Sequence, residues 1–309
     1  MSLIECRNLV KNYHKVQALK GVDLMVDEGK IFGFLGPNGA GKTTLIKILT
    51  GLISPTSGTC RVNNIDASKT NPEHRMHIGY LSQKPAYYAW MTGEQLLHFT
   101  GSLFGLNRQE CGRRTEELLR LSGLGKAGSR NISGYSGGMI QRLGIAQAIY
   151  HRPKVVFLDE PVSALDPIGR REVLQFIKQL KEETTVFMST HILADVERVC
   201  DEVAIIKEGE IIIKEGTDVL IREHSTGYYL ITFSDGRQAE DAAASLHSFI
   251  NDIQVCESSV KIGEQEFIKN RSTILMTASE NTWDLQGLHR ETAGLEDVFM
   301  NIIETRSAV

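Results

Sequence analysis

No apolar run in this sequence approaches the ~18 residues that a membrane-crossing helix needs. The longest candidates, KVVFLDE and DEVAIIKEGEIII, are strand-sized and broken by charge, so any work at a membrane is expected to pass through a partner protein. The opening residues, MSLIECRNLV, carry Glu5 and lack an apolar run of signal-peptide length, and no leader is expected. Cysteine is sparse: Cys6, Cys60, Cys111, Cys200 and Cys256 form no C-x-x-C pair, and their odd number argues against a disulfide framework or a zinc site and for a reducing compartment. His224, His247 and His289 stand alone, without metal-like spacing. A basic excess is also missing: 34 Lys and Arg against 38 Asp and Glu leave a net charge of −4, which argues against a nucleic-acid partner. Neither an internal repeat nor a low-complexity tract is present.

What is there is an ordinary globular composition, 41% hydrophobic and 23% charged, over 309 residues, a length that suggests about two domains. Residues 2–35 hold Val, Ile and Phe runs with a turn at Asp27-Glu28-Gly29 and read as strands. The last of these, IFGFL, ends in a glycine loop. TTLIKILTGL follows with Leu45, Ile48, Leu49 and Leu52 at helical spacing, giving the order strand, glycine loop, helix. Residues 92–130 carry apolar positions three and four apart, punctuated by Gly101, Gly105, Ser122, Gly123 and Gly125, and read as several short helices.

Beyond the cluster NISGYSGGM, the reading alternates: helix IQRLGIAQAIYH, strand VVFLD, helix REVLQFIKQLKEE, strand TTVFMS, helix LADVERVCD, strands EVAIIK and EIIIK. That order predicts a mainly parallel α/β sheet. After Gly216 the texture changes. GTDVLIREHSTG reads as a short helix and linker, YYLITFS, IQVCESSVKI and TILMTA as strands, and EDAAASLHSFI and LEDVFMNIIE as helices. The expected organisation is a first domain over 1–216, with a helical part at about 84–150, and a small α+β domain over 217–309.

Two motifs carry chemistry. Gly36, Pro37, Asn38, Gly39, Ala40, Gly41, Lys42 and Thr43 satisfy G-x-x-x-x-G-K-[ST] between an apolar strand and an amphipathic helix, with Thr44 following. Glycines let backbone N–H groups turn toward phosphate oxygens, and the helix start points its positive dipole end at the same anion. Lys42 is expected on the β- and γ-phosphates and Thr43 on Mg²⁺. VVFLDE then sets Asp159 and Glu160 at the end of a buried strand. Asp159 is placed to hold Mg²⁺ and Glu160 to polarise an attacking water.

With these in place, the sequence over about 2–216 resembles the ATP-binding-cassette ATPases. YSGGM, Tyr135 to Met139, is similar to the family signature L-S-G-G-Q. SALD, Ser163 to Asp166, resembles the D-loop, His191 in MSTHIL the switch histidine, Gln83 in YLSQKP the Q-loop glutamine, and Tyr13 the aromatic residue that stacks on adenine. The resemblance implies a phosphate-loop NTPase core of the cassette type, with an N-terminal antiparallel β subdomain and a helical subdomain. It implies ATP and Mg²⁺ as ligands, Gln83 beside Thr43 and Asp159 on the metal, and Glu160, His191 and Lys42 in hydrolysis. It also implies that Ser136, Gly137 and Gly138 contact the nucleotide of an opposing cassette, so that a second subunit, identical or different, completes the site. Tyr135 and Met139 depart from the signature, and the polar role usual at the last position is lost with Met139.

The same resemblance makes a separate membrane permease the partner, with the chain on the cytoplasmic face of the plasma membrane and an efflux transporter of drugs, antibiotics or ions as the expected complex. The segment KPAYYAWMTGEQLL crowds Tyr87, Tyr88, Trp90 and Met91, a set that suits either a docking surface for the permease or a local core under the helices. The second domain carries no catalytic constellation, and dimer contact, regulation and plain stability stay open for it. A cassette acting on ribosomes or DNA would be expected to bring a second cassette or a long coiled coil, and a small-molecule kinase would leave YSGGM and SALD unexplained.

Overall fold

The computed structural model describes residues 2–68, 72–224, 227–250 and 253–291. The chain divides into two compact units, Met1–Thr217 and Asp218–Val309.

The first unit begins with an antiparallel sheet. β1 (Ser2–Tyr13) and β2 (Val16–Asp27) form a long hairpin, and β3 (Ile31–Leu35) leads into the glycine loop and α1 (Lys42–Leu49). β4 (Ser57–Val62) and β5 (Ile65–Asp66) complete the four-stranded order β2-β1-β4-β5. The chain continues through α2 (Pro72–Met76) and β6 (Ile78–Leu81) to the helical part, α3 (Gly93–Leu103), α4 (Arg108–Leu121) and α5 (Gly137–Ala148). It then alternates through β7 (Val155–Asp159), α6 (Pro167–Leu180), β8 (Thr185–Thr190), α7 (Leu193–Val199), β9 (Glu202–Lys207) and β10 (Glu210–Gly216). The second sheet has the order β10-β9-β3-β8-β7-β6, parallel from β9 to β6, with β10 antiparallel at the edge.

Burial explains why β3, β7 and β8 are apolar along their whole length. Every residue of these strands is buried, as expected of a parallel sheet covered on both faces. On one face the rings of Phe32, Phe34 and Phe157 surround Phe187 at 5.3–5.6 Å, and side chains of α1 and the antiparallel sheet close over them. α6 and α7 pack on β8. The helices carry strong start signals: Thr92 with Gln95 and Asn107 with Glu110 form capping boxes, and Asp166 caps α6 with Pro167 in its first turn.

The second unit follows α8 (Thr217–His224) with β11 (Tyr228–Phe233), α9 (Gly236–Leu246), β12 (Ile253–Cys256), β13 (Ser259–Gly263), α10 (Glu264–Glu280) and β14 (Leu285–Glu291). Its antiparallel sheet runs β12-β13-β11-β14 over an apolar core that includes Phe233, Ala242, Leu246, Val260 and Phe267. One expectation is corrected here. TILMTA is not a strand but part of the C-terminal half of α10, whose buried residues Phe267, Ile274 and Ala278 follow helical spacing, while Leu275 and Met276 are exposed. Three adjacent apolar residues do not distinguish strand from helix by themselves. The true fourth strand, LQGLHRE, is largely polar and exposed on the sheet edge. The expected helix LEDVFMNIIE lies outside the described residues.

Candidate active site

The sheet order brings the site together. β3, β8, β7 and β6 are parallel neighbours, so their C-terminal ends lie along one edge, where ligands sit in open α/β sheets. Leu35 pairs with Thr190, Asp159 with Ser189 and Leu81 with Leu158. The glycine loop after β3, His191 after β8, Asp159 and Glu160 at the end of β7, and Gln83 beyond β6 are therefore adjacent in space although they span 36 to 191 in sequence. The glycine loop, Gln83 and Glu160 line a cleft of about 340 Å³ whose wall also includes Ala18 and Thr44, and His191 and Asp159 stand behind it through Glu160 and Thr43.

The loop needs its glycines. Gly41 has φ 111°, and a Cβ there would sit 2.6 Å from the Ala18 carbonyl oxygen; at Gly36 a Cβ would overlap the Ile206 carbonyl oxygen. Gly41 stands just ahead of α1, so the first N–H groups of that helix have no helical acceptor and face the cleft as anion donors. Lys42 is 5% exposed; its ammonium donates to the carbonyls of Gly36 at 2.7 Å and Pro37 at 3.1 Å and lies 3.3 Å from Glu160 Oε1. A buried cation held by neutral carbonyls and one carboxylate is what a polyphosphate would exchange into.

Glu160 is the centre of the arrangement. It is 7% exposed, and its carboxylate meets Lys42 Nζ, Gln83 Nε2 at 3.3 Å and His191 Nδ1 at 3.1 Å. The carboxylate can only accept, so Nδ1 of His191 carries a proton in this contact. Glu160 also has φ 49°, an uncommon conformation for a non-glycine residue that clusters at functional sites. Ala164, in the loop that follows, shares that left-handed conformation with φ 61°.

Asp159 Oδ1 accepts from Thr43 Oγ1 at 3.1 Å and from Ser189 Oγ at 2.7 Å. Hydroxyl and carboxylate oxygens this close, at the phosphate end of the cleft, are the donor set a hard cation such as Mg²⁺ prefers.

The remaining expected residues lie apart from the cleft wall. Tyr13 is 42% exposed at the turn of the β1–β2 hairpin, with Lys11 Nζ 5.1 Å over its ring. Ser136 caps α5, accepting from the Met139 N–H at 3.3 Å; it and Gly137 are exposed, whereas Gly138 is buried against Gly169, where a Cβ would come within 3.1 Å of the Gly169 Cα. Tyr135, in place of the signature leucine, is buried and donates its hydroxyl to the Ala127 carbonyl at 2.7 Å. The aromatic loop divides. Tyr88 and Trp90 are 64% and 69% exposed with ring centroids 5.8 Å apart. Met91 is buried, and the Tyr87 hydroxyl lies over Gly144 of α5. Met91 is thus corrected from the docking set to the local core. Sequence reading missed Ser189, whose one signal was a hydroxyl two residues before His191.

The ABC transporter family profile matches residues 19–163. The chain is 38% identical to the uncharacterized ABC transporter ATP-binding protein YxlF of Bacillus subtilis, over 97% of this chain and 99% of the relative. It is 32% identical to the linearmycin resistance ATP-binding protein LnrL of Bacillus subtilis, covering 97% and 98%, and 32% identical to the bacitracin transport ATP-binding protein BcrA of Bacillus licheniformis, covering 98% and 97%. Among solved structures, an ATP-binding subunit of an ABC transporter superposes with a TM-score of 0.64 at 31% identity, over 72% of this chain and 93% of that one. The dimeric ATP-binding cassette MJ0796, in a post-hydrolysis state bound to ADP and phosphate, superposes at 0.62 with 26% identity, over 69% and 98%.

Proposed function

The chain is an ATP-binding subunit of the ABC transporter family, an ATPase of the cassette fold, and from that premise we propose that it drives export through a separate membrane permease. The observation that carries the catalytic part is the convergence of Lys42, Gln83 and His191 on the carboxylate of Glu160, beside the Thr43–Asp159 oxygen pair. On binding ATP, Lys42 moves its ammonium from the loop carbonyls to the β- and γ-phosphates. Thr43, Asp159 and Gln83 would hold Mg²⁺, which would supply neutralisation of phosphate charge. Release of Lys42 leaves Glu160 to accept a proton from the attacking water. His191 donates toward the γ-phosphate once its contact with Glu160 is broken, and Tyr13 stacks on adenine.

Ser136, Gly137 and Gly138 sit away from the cleft wall, which fits their service to the nucleotide of a facing subunit. Export as the direction rests on two relatives matched over nearly their full length, one named for linearmycin resistance and one for bacitracin transport. The permease in this reading is a separate chain on whose cytoplasmic side this subunit docks, with Tyr88 and Trp90 as the exposed anchors; no described helix is long and apolar enough to cross a membrane. Release of phosphate from ATP by the purified chain tests the catalytic reading: it depends on Mg²⁺ and is lost in Lys42→Ala. Equal turnover in Lys42→Ala would refute it.

A further inference from the structure

Ser189 is fully buried and sits opposite Asp159 in the parallel β7–β8 pairing, and its hydroxyl makes two bonds to two consecutive carboxylate residues. Its hydroxyl donates to Asp159 Oδ1 at 2.7 Å, and the same oxygen accepts the backbone N–H of Glu160 at 3.0 Å. The Ser189 carbonyl takes that N–H as well, at 3.2 Å. One residue on β8 therefore orients the side chain of Asp159 and pins the backbone of Glu160 where its φ turns positive. Among the described residues Asp159 Oδ1 has one other donor, Thr43 Oγ1, which is itself a proposed ligand of the cation. When Thr43 turns its oxygen lone pairs to a metal, the Ser189 hydroxyl is the donor that stays.

We infer that Ser189 is a positioning residue for the hydrolysis of ATP: its hydroxyl fixes the metal-facing carboxylate of Asp159 and, through the Glu160 backbone, the aim of the Glu160 side chain. The inference rests on the assignment of Asp159 to the metal. The residue type is constrained by both bonds. Alanine and valine have no donor for Asp159, and a buried site admits no water of its own as a replacement without space for it. Threonine keeps the hydroxyl. Partners that orient a ligating carboxylate typically change metal affinity or activity by about 10–100-fold when removed.

The test is Mn²⁺ binding, followed by electron paramagnetic resonance, to the full chain saturated with a non-hydrolysable ATP analogue, together with kcat and KM for ATP at saturating Mg²⁺. Ser189→Ala is expected to weaken Mn²⁺ by about 10-fold or more and to lower kcat while leaving KM for ATP within about 3-fold. Ser189→Thr is expected to restore both. Asp159→Asn is the control for the underlying assignment and should lose Mn²⁺ altogether. If Asp159→Asn loses Mn²⁺ but Ser189→Ala binds it as the unsubstituted chain does, the inference is overturned and the metal assignment stands. If Asp159→Asn keeps its Mn²⁺ affinity, the metal assignment falls and the inference with it.

Discussion

Replacing Glu160 with Gln exchanges one carboxylate oxygen for an NH₂ at the centre of the cleft and changes little else. The side chain keeps its length, and its three neighbours limit how the amide can sit. Lys42 Nζ must face the remaining oxygen, because ammonium is a donor only, so the NH₂ takes the side toward Gln83 and His191. Both can adapt: Gln83 by turning its amide to offer oxygen, His191 by moving its proton to Nε2. The fold therefore tolerates the exchange, and the melting temperature is expected to shift by no more than about 4 °C, the equivalent of about 1 kcal/mol for a domain of this size.

Catalysis does not tolerate it, since an amide cannot accept a proton from water. A positioned general base contributes about 10²–10⁴ in rate, so kcat should fall by that factor, or about 3 to 5 kcal/mol in the barrier. Nucleotide affinity should hold or rise, because a buried negative charge next to the γ-phosphate is gone. The assay is phosphate release at saturating Mg·ATP, paired with equilibrium binding of a fluorescent ATP analogue. A kcat within tenfold of the unsubstituted chain, with binding intact, would refute the assignment of Glu160 as base.

Four further outcomes follow from the same structure. Trp90→Ala removes an exposed ring and should change stability by under about 0.5 kcal/mol, leave ATP binding intact and abolish recovery of the permease in pull-downs from solubilised membranes; loss of ATP binding instead would contradict the docking role. Tyr13→Ala should weaken ATP by about 1–3 kcal/mol but leave inorganic triphosphate unaffected, as measured by competition binding. Tyr135→Phe should cost about 1 kcal/mol in stability, from the lost bond to the Ala127 carbonyl, without changing kcat. Of the five thiols, only Cys256 is exposed, while burial pushes Cys60 up to about 12 and Cys6 and Cys200 higher still. A thiol-disulfide reagent near pH 8 should therefore titrate one group in the native chain and five after denaturation.

Much of the cleft was readable in advance because its chemistry depends on local spacing. The loop from Gly36 to Thr43 needs glycine where the backbone turns inward, and Asp159 with Glu160 needs a buried strand behind it; both requirements leave marks in a short window. What the sequence did not display were relations set by the sheet. Ser189 acquires its place only because β8 lies beside β7, and nothing near it in sequence marks that pairing. The family resemblance gave Gly138 only a nucleotide contact, and the fold adds a second demand on it, the close approach of α5 to α6 at Gly169. Trp90 and Met91 are adjacent and equally apolar, yet one is 69% exposed and the other 8%, a difference decided by packing beneath the helices. In the second unit, Ile274-Leu275-Met276 looked like a strand because three apolar residues in a row hide the helical period of Phe267, Ile274 and Ala278.

The central claim is that one chain holds half of each hydrolytic site and that two chains close on ATP. Sedimentation of the Glu160→Gln chain with and without Mg·ATP tests it most directly. The account predicts a species of 34.4 kDa without nucleotide and one of twice that mass with it, reverting when Ser136→Arg is added to block the facing surface. A chain that stays at 34.4 kDa with ATP bound, while the unsubstituted chain turns over at a rate independent of protein concentration, would contradict it.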